Sequence, residues 1–401
     1  MLKKLDLGKK VHNGASQLTN LQREGSSTAV LSLWDEYSPT TPSTTQESPD
    51  TEHPNWDWEK YIKYRPAYPD SLFDALYTYH AAASPDNTFT VAHDVGAGPG
   101  NVSARLAERF TRVVLSDPNK DFLSAARGRL SSSSCSKKSA MSASETPTST
   151  PDITQGQAQA DKFIYLAESA ERSSAASGAV DLVIIADALH WTDIPASIAE
   201  FARQLKSGGT LCVPQYGPAW IENNEEAQRA WEGLFYQAVR DLFFGDGDRD
   251  ARNRQSGKPE DQHGSLCLSS GNEGYILAGR RFATGLDNVG FPWSQWRDGV
   301  VRTFTNTRGD PKKPGIAVSE AGLGEEEDAV GATDERSFIE GDPEWMVQGC
   351  DLAWLQGVFG SFFGGRSVED DLERWKELER ALGGGTVTVV WPSVRILTTR
   401  R

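Results

Sequence analysis

Residues 94–100 read Asp94-Val95-Gly96-Ala97-Gly98-Pro99-Gly100, with three glycines at alternate positions. Glycine lets the backbone turn tightly and lets a ligand approach closely, because it carries no Cβ atom. The apolar residues before this loop predict a strand over 90–95. After the loop, Val102, Leu106 and Phe110 recur at the spacing of one helical face. A strand, a glycine loop and a helix in this order predict a nucleotide-type binding turn in an α/β fold.

The spacing of the glycines and one acidic residue bear on which cofactor this turn would bind. A dinucleotide fingerprint that starts at Gly96 needs its third glycine at position 101, but Asn101 stands there and the glycine is Gly100. Asn101 is instead expected to cap the following helix. The Asp94 carboxylate would repel a pyrophosphate but suits the amino group of a methionine moiety. These departures favour S-adenosylmethionine over NAD. A glycine-rich turn without a ligand and an NAD-dependent oxidoreductase are the alternatives.

Short apolar runs alternate with helical patterns along the rest of the chain. Such alternation predicts an α/β fold with a Rossmann-like, mostly parallel sheet that has helices on both faces. The predicted strands cover 112–116, 163–166, 180–186 and 210–214, and the predicted helices cover 69–79 and 194–205. Residues 386–399 are rich in β-formers, and Pro392 predicts that this last strand is bent or lies toward an edge.

Polar residues follow the predicted second and third strands. Asp117, which Pro118 follows, can accept hydrogen bonds from both hydroxyls of a ribose, and its alternative role is the N-cap of the next helix. Ser169, Ala170 and Glu171 follow the third strand, where a polar side chain or a backbone amide can bind the edge of an adenine. Their alternative is the exposed start of a helix. We predict that these residues contact the cofactor.

The predicted fourth strand ends near Ala186 and leads to His190 and Trp191. We expect Ala186 to contact the cofactor and Trp191 to contact the substrate at the rim of the site. His190 is the candidate catalytic residue, since an imidazole with a pKa near ~6.5 can orient a substrate oxygen or accept its proton. A packed histidine beside an aromatic neighbour is the alternative.

Composition limits the class of protein. The 401 residues carry a formal net charge of −15, whereas nucleic-acid binding usually needs a basic face, so we expect no nucleic-acid partner. No run approaches the roughly 20 apolar residues of a membrane span, and none follows the first residues as a secretory signal requires. Four scattered cysteines without a CxxC pair predict reduced thiols in the cytoplasm and no metal site.

Composition also predicts the domain organisation. Only 38% of the residues are hydrophobic, so part of the chain is expected to lie outside a packed core. Residues 1–54 are rich in Ser, Thr and Pro and are expected to be a disordered tail. Residues 55–401 are expected to form one domain, which polar insertions interrupt near 131–160, 245–274 and 308–336.

These motifs occur in an order that resembles class I S-adenosylmethionine-dependent methyltransferases. The matching residues are Asp94-Val95-Gly96-Ala97-Gly98-Pro99-Gly100, Asp117-Pro118, Ser169-Ala170-Glu171, Ala188-Leu189-His190-Trp191 and Leu205-Lys206-Ser207-Gly208-Gly209. The segment Tyr61-Ile62-Lys63-Tyr64-Arg65-Pro66-Ala67-Tyr68-Pro69 further resembles the entry segment of the trans-aconitate methyltransferase-like group. The resemblance implies seven strands with the last one antiparallel. It also implies a lid formed by residues 61–68.

The lid and one apolar helix would face the methyl acceptor. Tyr61, Tyr64 and Arg65 are the substrate-binding candidates, since a guanidinium can bind two carboxylate oxygens at once. The alternative is that these residues only pack the lid. Within 344–363, four apolar residues recur at helical spacing: Leu352, Leu355, Phe359 and Phe362. This pattern predicts either a helix that packs on the core or an apolar wall of the substrate pocket. The resemblance implies an S-adenosylmethionine-dependent methyltransferase acting on a small organic acid or secondary metabolite. The alternative is a regulatory protein that binds the cofactor without methyl transfer.

Overall fold

The computed structural model describes residues 58–83, 88–136, 162–244, 273–312, 327–363 and 368–401, all within the unit Glu52–Arg401. The predicted tail over 1–54 lies outside the described residues, as do residues 137–160, 245–272 and 313–326 of the predicted insertions. No helix of the described part is long and apolar enough to cross a membrane.

One sheet has eight strands, most of them the short apolar runs: β1 (Val91–Val95), β2 (Arg112–Ser116), β3 (Phe163–Leu166), β4 (Val180–Ile185), β5 (Leu205–Tyr216), β7 (Val301–Thr305), β8 (Glu335–Ile339) and β11 (Ser393–Thr399). Their order in the sheet is β3-β2-β1-β4-β5-β11-β7-β8. Every residue of β4 is buried, as its mainly apolar run predicts for a central parallel strand, and every residue of β1 is buried as well, including His93 and Asp94. The four predicted strands that surround the glycine loop are therefore confirmed in place.

The directions of the strands agree with a class I methyltransferase sheet, with one addition. β1 to β5 run parallel to one another, and β11 lies antiparallel between β5 and β7. The last strand is therefore antiparallel, as expected. The strand count is eight rather than seven, because β8 pairs in parallel with β7 at the edge. All five residues of β8 are exposed, so this strand has no apolar pattern that a sequence reading could find.

Pro392 marks a change of sheet rather than an edge strand. A second, three-stranded antiparallel sheet has the order β6-β10-β9, with β6 (Trp220–Glu222), β9 (Met346–Cys350) and β10 (Val387–Val390). The chain leaves β10, passes Pro392 and enters β11 in the middle of the large sheet. Of the two predicted alternatives, a bend or an edge position, the structure has the first: Pro392 lies at the junction of the two sheets, outside both ladders, and β11 lies between β5 and β7.

The described helices connect and cover these strands. They are α1 (Trp58–Tyr64), α2 (Asp70–Ala83), α3 (Asn101–Leu106), α4 (Lys120–Ser136), α5 (Ile194–Gln204), α6 (Glu225–Phe244), α7 (Glu273–Ala283), α8 (Leu352–Phe362) and α9 (Leu372–Leu382), with 3-10 turns at Leu189–Trp191, Pro343–Trp345 and Val368–Asp371. Gly100, not Asn101, is the N-cap of α3, in a left-handed conformation without a side-chain cap. The Asn101 side chain instead accepts a hydrogen bond from Arg129 of α4 at 2.8 Å.

A buried carboxylate fixes the relative positions of the central strands. Asp181, at the start of β4, is 2% exposed and accepts hydrogen bonds from the backbone N–H of Val91 in β1 at 2.8 Å and the hydroxyl of Thr88 at 2.7 Å. The ammonium of Lys206 in β5 lies 2.6 Å away. Because each contact comes from a different segment, this one side chain fixes the amino ends of β1, β4 and β5 to one another.

The small sheet and three helices form a second packed layer, here called the cap: β6, β9, β10, α6, α8 and α9. Its centre is aromatic. The ring of Trp231 in α6 lies 4.8 Å from Phe235, and the ring of Phe359 in α8 lies 5.3 Å from Trp375 in α9. Helix α1 packs on α8, where Tyr64 meets Trp354 edge to face at 6.4 Å. The cap therefore holds the lid segment in place.

Candidate functional site

The glycine loop lies at the carboxyl end of β1, with its backbone in left-handed conformations. Gly96 and Gly98 have φ angles of 64° and 52°. A Cβ at Gly96 would come within 2.6 Å of the Cβ of Ala188, so this glycine allows close packing with the segment after β4. A Cβ at Gly98 would meet nothing within 4 Å, so this glycine faces open space. Gly100 packs instead against Leu130 of α4.

Asp117 connects this loop to the end of β2. It is 5% exposed, and its carboxylate accepts hydrogen bonds from the backbone N–H of Gly98 at 3.1 Å and of Asn119 at 2.8 Å. The carboxylate therefore lies beside the open space at Gly98, where the ribose of a cofactor would fit. The alternative role as a helix N-cap was wrong, because α4 begins three residues later, at Lys120. Pro118 is exposed beside it.

Asp94 lies underneath the loop rather than on its surface. It is 1% exposed and accepts a hydrogen bond from the Ser103 hydroxyl of α3 at 2.5 Å. Burial raises the pKa of this carboxyl to about 7, the hydrogen bond from Ser103 opposes that rise, and the charge of Asp117 adds to it. A buried carboxyl with such a pKa is ready to ionise when a cationic group such as an ammonium approaches.

The loop after β3 lies beside the start of α5. Ser169 is exposed, Ala170 is buried, and Glu171 accepts a hydrogen bond from the backbone N–H of Asp193 at 2.8 Å. No helix begins in this fully described loop, so the alternative of an exposed helix start was wrong. Ala186 directly follows β4 and is half-buried, on the other side of the glycine loop from this segment in the strand order β3-β2-β1-β4.

The structure buries His190 within the 3-10 turn that follows β4. Its ring lies 5.1 Å from the rings of both Trp191 and Phe282, and its Nδ1 has no hydrogen-bond partner. Burial, with smaller contributions from Arg65 and Arg281, lowers its pKa to about 3. The imidazole is therefore neutral near pH 7, which suits a hydrogen-bonding role better than that of a proton acceptor. Trp191 is 58% exposed.

Arg65 places a cation among aromatic rings on the acceptor side of the site. Its guanidinium carbon lies 3.4 Å from the ring centre of Phe362 and 5.1 Å from that of Tyr61. One terminal nitrogen donates to the Ser361 carbonyl at 3.1 Å, whereas Nε is buried without a partner. Tyr64 packs on α8, which favours a role in holding the lid. Phe362 forms a wall under Arg65, so both expectations for the apolar helix have support.

Three further residues that the sequence did not single out lie in this part of the site: Asp187 and Tyr216 face Arg65, and Tyr68 faces Asp187 and Tyr216. Asp187 has a left-handed φ of 54°, and its Oδ1 is buried without a partner. Burial raises the pKa of this carboxyl to about 6, while Arg65 and Tyr216 lower it. The rings of Tyr68 and Tyr216 lie 5.7 Å apart. Position in the chain could have identified two of them, since Asp187 follows β4 and Tyr216 ends β5. Both therefore lie at the carboxyl edge of the sheet, where ligands bind in such folds.

The arrangement fits S-adenosylmethionine as a cofactor. Open space beside Gly98 has a buried carboxylate at one side, Asp117, and the raised-pKa carboxyl of Asp94 beneath it. When bound, S-adenosylmethionine supplies an electrophilic methyl group on a positively charged sulfur. The aromatic and charged residues around Arg65 are the candidates for holding the molecule that accepts this methyl group.

Comparisons with known proteins agree with this geometry. A family described as a methyltransferase domain matches residues 93–213. Methyltransferase cfoB of Aspergillus candidus is 30% identical over 353 residues, which cover 86% of this chain and 94% of the relative. Methyltransferase AacuQ of Aspergillus aculeatus is 26% identical over 348 residues, and Methyltransferase pgmE of Aspergillus terreus is 28% identical over 362 residues. Each of these matches covers 86% of this chain and 93% of the relative. The chain therefore belongs to the class I S-adenosylmethionine-dependent methyltransferases.

Proposed function

We propose that the methyl acceptor is a small organic molecule with an anionic or ionisable oxygen, such as a carboxylic acid or an acidic secondary metabolite. The observation that carries this proposal is Arg65. Buried N–H groups in folded proteins almost always have an acceptor. Arg65 lies among aromatic rings, the Ser361 carbonyl and Tyr216, with Asp187 nearby, and its buried Nε still has no partner. A planar acid between these rings would supply the missing acceptor oxygen.

Arg65, Tyr61 and Phe362 would orient the acceptor. Methyl transfer is an in-line displacement, and correct alignment of the reacting atoms is worth roughly 7–11 kcal/mol. Tyr61 and Phe362 offer flat apolar surfaces on two sides of the guanidinium. His190 offers a neutral imidazole, and the exposed Trp191 would contact the acceptor as it enters. A carboxylate acceptor needs no base in this arrangement.

We further propose that residues 61–69 place the chain near the trans-aconitate methyltransferase-like group. The support is the sequence Tyr61-Ile62-Lys63-Tyr64-Arg65-Pro66-Ala67-Tyr68-Pro69 and the position of this segment over the acceptor side. Cofactor contacts are proposed for Asp94, Gly96, Gly98, Gly100, Asp117, Pro118, Ser169, Ala170, Glu171 and Ala186.

A turnover panel tests the proposed acceptor. The enzyme and S-adenosylmethionine are incubated with aliphatic acids, aromatic acids, phenols and neutral alcohols, and S-adenosylhomocysteine formation is measured. We expect turnover with acids or phenols only.

In Arg65→Met, we expect KM for the acceptor to rise about tenfold or more, since a charged hydrogen bond is worth about 1.5–3 kcal/mol. Arg105→Met is the matched control, because Arg105 also lies over a ring, that of Phe73, at 4.6 Å. Turnover of neutral alcohols alone, or an unchanged KM in Arg65→Met, would contradict the proposal.

A further inference from the structure

Three buried polar atoms without a partner meet on the acceptor side of the site: Arg65 Nε, Asp187 Oδ1 and His190 Nδ1. Arg65 is close enough to the other two to act on both of their pKa values. Since buried polar atoms in folded proteins almost always have partners, a ligand is expected to satisfy this group. Arg65 is a donor only, and an ionised Asp187 is an acceptor only. The ligand must therefore present an acceptor oxygen and a donor hydroxyl or amine near each other.

Asp187 is held in a strained position between the cofactor loop and the lid residues. Its φ of 54° lies in the left-handed region, which aspartate tolerates better than most residues. Its backbone N–H donates to the Pro214 carbonyl of β5 at 2.9 Å, which fixes the residue against the sheet edge. The next residue, Ala188, packs on Gly96 of the loop. Strain of this kind persists where the surrounding structure enforces it, which is common at functional sites.

We propose that Asp187 accepts the proton of an acceptor hydroxyl while Arg65 binds a neighbouring carbonyl or carboxylate oxygen of the same molecule. The acceptor is then a hydroxy acid or a hydroxy-carbonyl compound that is methylated at its hydroxyl. This inference rests on the proposed function and narrows its acceptor class. The hydroxyl proton goes to the Asp187 carboxylate, and an electron pair of the hydroxyl oxygen forms the new O–CH₃ bond. The bond between the methyl carbon and sulfur breaks, its electron pair stays on sulfur, and the positive charge of the sulfonium disappears.

Of the charged and titratable groups that surround Asp187, Asp187 itself is the one expected to change its charge near neutral pH. Arg65 and Tyr61 face it from the lid, Tyr68 from the segment after α1, and Tyr216 from β5. Burial raises the pKa of all three tyrosines above the usual value, so they stay neutral through pH 8. His190 follows in the 3-10 turn and stays neutral, because its pKa is about 3.

Asp187 must be ionised to accept a proton, so turnover should increase with pH through its pKa of about 6. Asp94 of β1, which acts on Tyr68, is a second buried carboxyl in this region, and its pKa of about 7 makes it a competing source of such a pH profile. Asp94→Asn therefore accompanies the test. Asp94 is a proposed cofactor contact, so kcat is measured at saturating S-adenosylmethionine. The rise of kcat near pH 6 should persist in Asp94→Asn, whatever its absolute kcat, and disappear in Asp187→Asn.

The test compares Asp187→Asn with wild type on aromatic hydroxy acids and hydroxy ketones, with 2-hydroxybenzoate and 2-hydroxyacetophenone as the first probes. Asparagine keeps the shape and tolerates the left-handed φ, so the variant should fold. We expect methyl ether formation in wild type and a loss of about 100-fold or more in kcat in Asp187→Asn, as for removal of a general base. Asp193→Asn is the matched control, since Asp193 is an N-cap of α5 and asparagine caps equally well. Its kcat should match wild type.

Calorimetric binding of S-adenosylmethionine gives a readout that does not depend on turnover. Its affinity should be unchanged in Asp187→Asn, and a large loss there would assign Asp187 to the cofactor and overturn the inference. Wild-type kcat in Asp187→Asn, or the absence of any methyl ether from the panel, would also overturn it. If wild type forms methyl esters but no ethers, this inference fails while the proposed function stands. If it forms neither, both fail.

Discussion

At the residue scale, adding one methyl group at Gly98 tests whether the cofactor binds beside this glycine. Its φ is 52° and a Cβ there would project into open space. Gly178 has a similar φ of 67° and also nothing within 4 Å, but it lies in an exposed loop before β4. Alanine at either position has the same left-handed strain, about 1–2 kcal/mol. Only at Gly98 would the added methyl group meet the cofactor.

We therefore expect Gly98→Ala to weaken S-adenosylmethionine binding about tenfold or more, because crowding by one methyl group costs about 1–3 kcal/mol. Gly178→Ala should bind the cofactor as wild type does, while both variants lose similar thermal stability. Isothermal calorimetry and a thermal unfolding curve give the two quantities. Equal affinities for the two variants would show that the cofactor does not lie at Gly98.

Asp94 makes the stability of the cofactor-free protein depend on pH. Its pKa is about 7 in the folded chain, against ~3.9 when unfolded. Between these values the folded state binds the extra proton, so the free energy of unfolding falls as the pH rises from about 4 to about 7. Three pKa units correspond to roughly 4 kcal/mol at most. Asp94→Asn should remove this part of the pH dependence.

Urea unfolding at pH 5 and pH 8 measures that difference for wild type, Asp94→Asn and the control Asp193→Asn. The loss of stability between the two pH values should be smaller by a few kcal/mol in Asp94→Asn only. The same loss in all three proteins would mean that Asp94 is already ionised in the cofactor-free state.

At the element scale, the parts of the fold that could be predicted are those with a local signal. β1, β2, β3 and β4 are short, mainly apolar segments between polar turns, and their predicted bounds agree with the structure to within a residue. β8 is exposed along its whole length, and the short β6 depends on a partner, β10, more than 160 residues away. No periodicity marks such strands, because long-range pairing rather than local burial stabilises them.

The candidate site shows the same division. The loop, Asp117 and the segment after β4 have recognisable spacing, so the cofactor side could be predicted. The acceptor side depends on how Arg65 of the lid meets Phe362 of α8, nearly 300 residues later. The sequence does not single out Asp187, because its left-handed φ and its unpartnered Oδ1 exist only in the folded chain.

The contact between α1 and α8 supports a prediction about the lid. At Gly357 of α8, a Cβ would overlap the ring of Tyr64, which is packed and cannot move aside. At Gly360, one turn further, a Cβ would meet only the end of the Lys60 side chain, 2.7 Å away and flexible. Gly357→Ala should displace α1 at a cost of about 1–3 kcal/mol. Gly360→Ala should be neutral or more stable, since alanine favours a helix by about 0.5–1 kcal/mol.

Limited trypsin digestion measures the displacement, because Lys63 of α1 is exposed and becomes cleavable when the helix detaches. Cleavage there should be faster in Gly357→Ala, together with a raised KM for the acceptor, and unchanged in Gly360→Ala. Wild-type digestion of Gly357→Ala would mean that Tyr64 does not hold the lid.

At the scale of the whole molecule, a buried ion pair that stabilises the fold lies in a different part of the sheet from the proposed site. The site is built at the carboxyl ends of β1, β2, β4 and β5, together with the lid. The opposite side of the sheet, at β7 and β8, holds the most completely buried ion pair of the described residues. Arg302 is 1% exposed, and its Nε lies 2.8 Å from Oδ2 of Asp334, whose side chain is 6% exposed. Its terminal nitrogens donate to the carbonyls of Leu286 and Val289.

Arg302→Met should lower the free energy of unfolding by about 3–5 kcal/mol, because Asp334 remains as an unpaired buried charge. Removing that charge as well, in Arg302→Met with Asp334→Asn, should cost no more than the first substitution alone, so the two effects are not additive. Lys376→Met is the control: its pair with Glu373 is exposed at both ends, at 51% and 81%, so its loss should change the free energy of unfolding little. Below the unfolding transition, all of these variants should bind S-adenosylmethionine as wild type does. Weakened binding in Arg302→Met at a temperature where the protein is fully folded would show that this end of the sheet is coupled to the site.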